Sequence, residues 1–446
     1  MPDRTPVQLG EYESAVLAPD QLTPRDADRL HALQARGSLT LTREHTGWRL
    51  KADATVGVLV LDRVRVVISP KFAIPGERLM SWLAYALGTP VPATARRWAT
   101  GPTGYADLVG AALLEECERL LREGLRRDYV RRRSVEPLLR GRLDVAAQAT
   151  RRFGQLDQLH LHAFDREADI WDNRVLGSAL KAAVGMTSSP GLARALHGAA
   201  GAFPWAPTPA PALRALDRTQ YTRLNARYRP AHTWARLLLR GGGVTDLLTD
   251  HGTSADGLLL AMPALWEAVV RRLGTEAVGP QGGHAVPGGS GTGITIRGDL
   301  GNASAFRPDL LLSLPGLPGH GTADRTLLPV DAKYKRYDRH GVSAADVHQL
   351  LTYSSGYASA DTPTAVIVHP QPGSHARRTL QVRGPRGLLG LVHVLGVDTR
   401  TAPEQASAWL GSALRRPWDA GRSVKAAVGG EVPGRPGRPD RAGRTP

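Results

Sequence analysis

Residues 327–338 read LLPVDAKYKRYD, an apolar run that turns abruptly charged. The first half has the texture of a buried strand. An ionisable pair at the end of such a strand is costly unless something pairs with it. Asp331 and Lys333 stand two residues apart, so on a strand their side chains leave the same face. A salt bridge, a metal ion or a phosphate could satisfy them, and the surrounding sequence has to decide.

Outward from this stretch the periods are mixed. GITIRGDL, FRPDLLLSLPG and TAVIVHP have strand-like runs separated by Gly-rich turns, whereas SAADVHQLLTYSSGYA has helical spacing. Upstream, LLLAMPALWEAVVRRLG is predicted to be one amphipathic helix. Helix, three strands, helix and strand in that order define an α/β unit. Glu267 lies on its first helix, Asp309 follows Pro308 where a strand begins, and Gln349 and Tyr353 share one side of its second helix.

Two adjacent antiparallel strands can set Asp309 beside Asp331, and carboxylates so close repel each other unless a cation lies between them. Mg²⁺ favours hard oxygen ligands and keeps positions open for water and a phosphate oxygen. A lysine on the same face, Lys333, can orient that water or neutralise the charge developing on the phosphate. Plain readings exist for each part: a local ion pair for Asp331 and Lys333, a turn for Pro308-Asp309, a helix-surface pair for Glu267. Gln349 and Tyr353 could equally be boundary residues of their helix. Their order and spacing together favour phosphodiester hydrolysis with Asp309 and Asp331 as metal ligands.

At 446 residues the chain exceeds one ordinary core. The expected organisation is multidomain α+β. Residues 1–95 form a β-rich N-terminal domain, on the alternation in GSLTLTREHTGWRLKADATVGVLVLDRVRVVISPK, with a helix ERLMSWLAYALG ending at Gly88. Residues 96–255 form a helical middle region with a long helix DLVGAALLEECERLLREGLRRDYV. Arg126, Arg127, Arg131, Arg132 and Arg133 cluster at its end and just beyond, suited to a DNA backbone or an acidic partner. Residues 256–410 hold the C-terminal α/β unit, and 411–446 are predicted to be a basic, disordered tail.

Lys and Arg number 57 against 41 Asp and Glu, a net charge of +16. From Gly411 onward eight basic residues face three acidic ones, so +5 lies there and about +11 on the rest, a surface that suits a polyanion. Arg enrichment throughout the chain is the plainer source of that excess. Cys117 is the only cysteine, which excludes an intrachain disulfide and a Cys-based zinc site. The histidines show no zinc-ligand spacing, and without a G-x-x-x-x-G-K-[ST] loop the chain is not expected to bind a nucleotide itself. Neither a signal pattern nor an apolar run long enough for a membrane span is present, so a cytoplasmic protein with no membrane association is expected.

In combination, FRPDLLL…LPVDAKYKRY…DVHQLLTYSSGYA resembles the PD-(D/E)XK nuclease fold, in particular its McrC branch. Upstream, VGVLVLDRVRVVISPK, EGLRRDYVRRR, LLRGRLDV and HLHAFDREADIWDNRVLGSALK are similar to the blocks preceding the nuclease in that family, in the same order. The resemblance implies a C-terminal nuclease-like domain and a DNA endonuclease subunit of a modification-dependent, type IV restriction system. It further implies a hexameric McrB-like AAA+ GTPase as partner, contacted through the N-terminal domain and stimulated by this chain, with modified double-stranded DNA as substrate. Mg²⁺, which Mn²⁺ can replace, is the implied cofactor. By the same resemblance Asp309, Asp331 and Lys333 are the catalytic triad, with Glu267, Gln349 and Tyr353 accessory to it. Lys335 and Arg336 join the upstream arginines as DNA-binding candidates. Asp172, Asn173 and Arg174 match the family and are expected to cap and lock helices. Two insertions depart from the pattern, PWAPTPAPA and LPGLPGHGTADRT; the second lengthens the loop between Asp309 and Asp331 at small entropic cost. The alternatives are a stand-alone metal-dependent nuclease of DNA repair or mobile-element processing, and a non-catalytic adaptor of the motor.

Overall fold

The computed structural model describes residues 4–72, 74, 76–91, 105–240, 257–288, 292–297, 303–315, 325–357 and 363–415. It is a mixed α/β multidomain structure with several sheets and eleven α-helices among those residues. The N-terminal residues contribute strands to two sheets. A four-stranded sheet runs Thr5–Gly10, Val64–Ser69, Thr55–Val60 and Gly257–Ala261 in spatial order, and a three-stranded one runs Ser14–Leu17, Gly47–Ala52 and Leu39–Glu44. A helix that the alternation did not announce, Pro24–Gln34, starts at a Thr23 cap and packs Leu30 and Leu33 beneath these strands. The helix Gly76–Leu87 ends at Gly88, whose φ of +65° is the left-handed turn that glycine allows.

In the middle region the helices Tyr105–Glu123, Trp171–Met186, Pro190–Ala200, Pro209–Arg218 and Arg229–Leu239 dominate, but the region is not all helical. The long helix stops at Glu123, because Gly124 turns out at φ +81°. The chain then becomes a strand, Asp128–Glu136, which pairs antiparallel with Leu159–Glu167, itself paired with the short Arg142–Leu143. The expectation that DYV continues the helix is therefore corrected. The segment from Asp128 to Glu136 sets the β-branched Val130 and Val135 on either side of Arg131, Arg132, Arg133 and Ser134, and strand pairing satisfies its backbone.

A second correction concerns LLLAMPALWEAVVRRLG. Gly257–Ala261 is a strand, antiparallel to Thr55–Val60, and the helix runs Met262–Val278 with proline in its first turn. Proline is suited to that position because its missing N–H has no intrahelical acceptor there.

The C-terminal unit is a six-stranded mixed sheet in the order His284–Ala285, Leu310–Leu314, Thr326–Ala332, Thr364–Gln371, Gly387–Asp398 and Ala376–Gly384. Leu310–Leu314 and Thr326–Ala332 are antiparallel; Thr326–Ala332, Thr364–Gln371 and Gly387–Asp398 are mutually parallel. Helices cover both faces, which is why TAVIVHP reads as a nearly continuous apolar run. Val366 and Val368 face the helices Met262–Val278 and Pro403–Arg415, while Ala365 and Ile367 face Ala344–Tyr357. One apolar cluster extends from Val56 through Trp82, Leu113 and Trp234 to Trp266, Val368 and Leu410, joining the three regions. The helix Pro403–Arg415 carries order past the expected start of the tail at 411; residues 416–446, where the disordered tail was expected, lie outside the described residues. Among the described residues no helix is long and apolar enough to cross a membrane.

Candidate functional site

The site is assembled where the two antiparallel strands end. Leu310 lies opposite Val330, so one step further along the register Asp309 meets Asp331. The backbone N–H of Ala332 donates to Asp309 Oδ2 at 2.7 Å, which clips the first carboxylate onto the end of the second strand. Asp331 is 1 % exposed, and its Oδ2 lies 2.7 Å from Lys333 Nζ without receiving a hydrogen bond of good geometry from any described group. That buried oxygen, paired with a single ammonium and set beside a second carboxyl group, is the cost the sequence raised.

Lys333 leaves the strand on the same face as Asp331, and its main chain is fixed by an N–H bond of 3.0 Å to the Val368 carbonyl. The Trp266 indole donates to that same carbonyl at 3.0 Å, tying the helix that bears Glu267 to the strand end. Lys333 Nζ also donates to Gln349 Oε1 at 2.9 Å; Gln349 Nε2 donates to Tyr353 Oη at 3.0 Å; and the Tyr353 O–H donates to the Arg307 carbonyl at 2.9 Å. The one-turn spacing of Gln349 and Tyr353 is what lets this chain of bonds form. It links the lysine of one strand to the backbone just before Asp309 on the other.

The electrostatics follow from burial. Burial pushes the Asp331 carboxyl up to about 6; the Lys333 ammonium opposes that rise and the Asp309 carboxyl adds to it. Burial likewise raises Asp309, against the Ala332 N–H and with help from the Glu267 charge. Burial alone would lower Lys333, but the Asp331, Asp346 and Asp309 carboxylates hold its ammonium above the ordinary value. Two adjacent carboxyl groups, one buried and one half-buried, that resist ionising together form, next to a lysine held charged, a site that stabilises added positive charge.

Glu267 is near but not joined to this pair. Its Oε1 is held by Arg271 Nη2 at 2.5 Å, and Arg271 also reaches the Asp309 carbonyl at 3.4 Å. Among the described residues no three His, Cys, Asp or Glu side chains converge on a common point. The donor set is thus two carboxylates, Asp331 buried and Asp309 half-buried, which fits an oxygen-preferring ion that keeps most of its waters and does not fit a closed four-ligand site. A cleft of about 620 Å³ opens beside Asp309, with Glu267, Arg271, Arg307 and Tyr357 in its walls.

Asp346 was not among the sequence candidates. It is 5 % exposed and accepts hydrogen bonds from Lys335 Nζ, 2.8 Å to each oxygen, from Tyr337 Oη at 2.8 Å and from Ser343 Oγ at 2.6 Å. Burial works against its charge, yet these donors hold the carboxyl down at about 2. It folds the KYKRY segment back over the start of the Ala344–Tyr357 helix. The S-x-x-D pattern of Ser343 and Asp346, a helix-capping signature, was the signal available.

The basic candidates divide by pairing. Lys335 is held by Asp346 and Arg336 by Asp338 at 2.7 Å. Arg126 bonds to both Asp172 and Asp128, and Arg132 to Glu167. Arg127, Arg131 and Arg133 are exposed. Asn173 is fully buried and locks helix ends through the Arg126 and Ala168 carbonyls and the Tyr228 hydroxyl, the structural role expected of it.

No curated protein matches the sequence. Among solved structures the chain is similar, at 17 % identity and a TM-score of 0.65, to one described as a half-complex from a tetradecameric assembly of Thermococcus gammatolerans McrB AAA+ hexamers with bound McrC. That match covers 92 % of this chain and 100 % of the other. A second, described as the cryo-EM structure of the Thermococcus gammatolerans McrBC complex, aligns at 20 % identity over 61 % of this chain and 88 % of the other, with a TM-score of 0.44. The family model described as McrBC 5-methylcytosine restriction system component matches residues 50–370, which include the whole of the strand-end site. The chain belongs to the McrBC family of 5-methylcytosine restriction system components.

Proposed function

We propose that this chain is the DNA-cleaving subunit of a modification-dependent restriction system, hydrolysing phosphodiester bonds with Mg²⁺ in concert with a hexameric McrB-like AAA+ GTPase. The observation that carries the reading is the pairing of half-buried Asp309 with buried Asp331 at adjacent strand ends, with Lys333 2.7 Å from Asp331. Asp309 and Asp331 would hold the divalent ion, which supplies a water of lowered pKa and charge stabilisation at the phosphate. Lys333, kept charged by its carboxylate neighbours, faces the position where negative charge builds on the phosphate. Gln349 and Tyr353 keep Lys333 aimed, and the cleft beside Asp309 gives the backbone a way in. The partner reading is supported by family membership and by the likeness to a structure described as McrB AAA+ hexamers with bound McrC.

The test is cleavage of methylated duplex DNA by the chain together with its neighbouring AAA+ protein, GTP and Mg²⁺. Asp309→Asn, Asp331→Asn and Lys333→Ala are expected to abolish cutting while the complex still assembles and hydrolyses GTP. Unchanged cutting in all three would sink the assignment. Cutting by the chain alone, without nucleotide, would instead favour the stand-alone nuclease.

A further inference from the structure

Two arginines line the cleft beside Asp309, and they are held differently. Arg271 is engaged by Glu267 and by the Asp309 carbonyl. Arg307 has its backbone fixed, and among the described residues its guanidinium has no carboxylate partner. Its carbonyl accepts the Tyr353 hydroxyl at the far end of the bonds that begin at Lys333, and Pro308, with its restricted φ, separates it from Asp309. Its side chain is exposed and lies across Gly288, where a Cβ would come within 2.7 Å of the guanidinium. Its guanidinium donates to the Thr292 hydroxyl at 3.5 Å, a long bond.

We propose that Arg307 binds a backbone phosphate of the DNA strand being cut, next to the scissile one, and so sets the register of that strand against Asp309. This rests on the nuclease reading above. A polyanion approaching two carboxyl groups is repelled unless a cation stands at the entrance, and the planar guanidinium fork matches two phosphate oxygens at once. The anchored backbone makes the offset between that phosphate and Asp309 a fixed one. Gly288 supplies the room, since a larger residue there would displace the guanidinium.

The experiment is binding of a short fluorescent methylated duplex by the full chain in complex with its AAA+ partner, with Ca²⁺ replacing Mg²⁺, over a series of salt concentrations. Arg307→Ala is expected to flatten the slope of log K against log salt by about 0.9, the loss of one phosphate contact. Arg307→Lys keeps the point charge and is expected to keep most of the slope with weaker binding. Arg307→Gln gives the same reading if the alanine variant fails to fold. An unchanged slope in Arg307→Ala beside an unchanged melting transition overturns the inference, as does a wild-type complex that binds no DNA. A wild-type complex that binds but does not cut when Mg²⁺ is restored overturns the nuclease reading instead, and the slope still decides whether Arg307 holds a phosphate.

Discussion

Lys333 shares its ammonium between two partners: the carboxylate of Asp331, 2.7 Å away, and the side-chain oxygen of Gln349 at 2.9 Å. The amide decides where the lysine points, because an ion pair alone leaves a flexible four-carbon stem free to swing. Gln349→Leu is expected to lower the single-turnover cleavage rate by roughly tenfold to a hundredfold while DNA affinity stays unchanged, since misplacement of about 1 Å costs on that scale. Tyr353→Phe removes only the bonds to Gln349 and the Arg307 carbonyl and is expected to cost less. A rate equal to wild type in Gln349→Leu would show that Asp331 aims the lysine unaided.

Acid should weaken the C-terminal sheet before it touches most carboxylates. His369 and His393 are buried, and burial pulls both down to about 4. The unfolded chain takes up their protons near the ordinary 6.5, whereas the folded chain does so only near 4. Their contribution is therefore complete above 6.5 and lost as the pH falls from there towards 4, at up to ~1.4 kcal/mol per pH unit for each. His393→Leu should flatten the pH dependence of urea unfolding in that window. An unaltered profile would mean that the ring becomes solvated before the protein unfolds.

Gly57 is expected to tolerate no side chain. Its φ is +143°, and a Cβ there would lie 1.9 Å from the Leu258 carbonyl of the paired strand. Gly57→Ala should cost on the order of 3 kcal/mol or more, because both the backbone conformation and the strand pairing are lost. Differential scanning calorimetry of the full chain checks this. A melting temperature within experimental error of wild type would contradict the close approach.

The arginine cluster should separate into structural and surface members. Arg126→Ala leaves the buried side of Asp172 and Asp128 without its cation and is expected to lower the melting temperature clearly. Arg131→Ala and Arg133→Ala are expected to stay within about 0.5 kcal/mol of wild type, as exposed substitutions do. Equal effects at all three positions would refute the division.

The site was legible in sequence to the extent that local spacing specifies it. The two-residue step from Asp331 to Lys333 and the four-residue step from Gln349 to Tyr353 each fix a shared face, and both pairs are brought together. The placement of Asp309 opposite Asp331 followed from expecting neighbouring antiparallel strands. What spacing could not show was competition among partners. Glu267 has the right type and place on its helix, but Arg271 one turn on engages it first. Asp346 was missed because its donors, Lys335, Tyr337 and Ser343, converge only after the KYKRY segment folds back. In the middle region helical periodicity hid the change at Gly124, where one left-handed residue ends the helix before the strand Asp128–Glu136 with its three consecutive arginines. Gly257–Ala261 was absorbed into the helix prediction because five apolar residues fit either period, and only a distant partner chooses between them.

That distant pairing governs how the chain must mature on the ribosome. The first sheet receives its last strand from residues 257–261, long after its other members have emerged. Until then Thr55–Val60 presents a bare apolar edge to solvent. A chain ending before residue 257 lacks the strand that covers this edge.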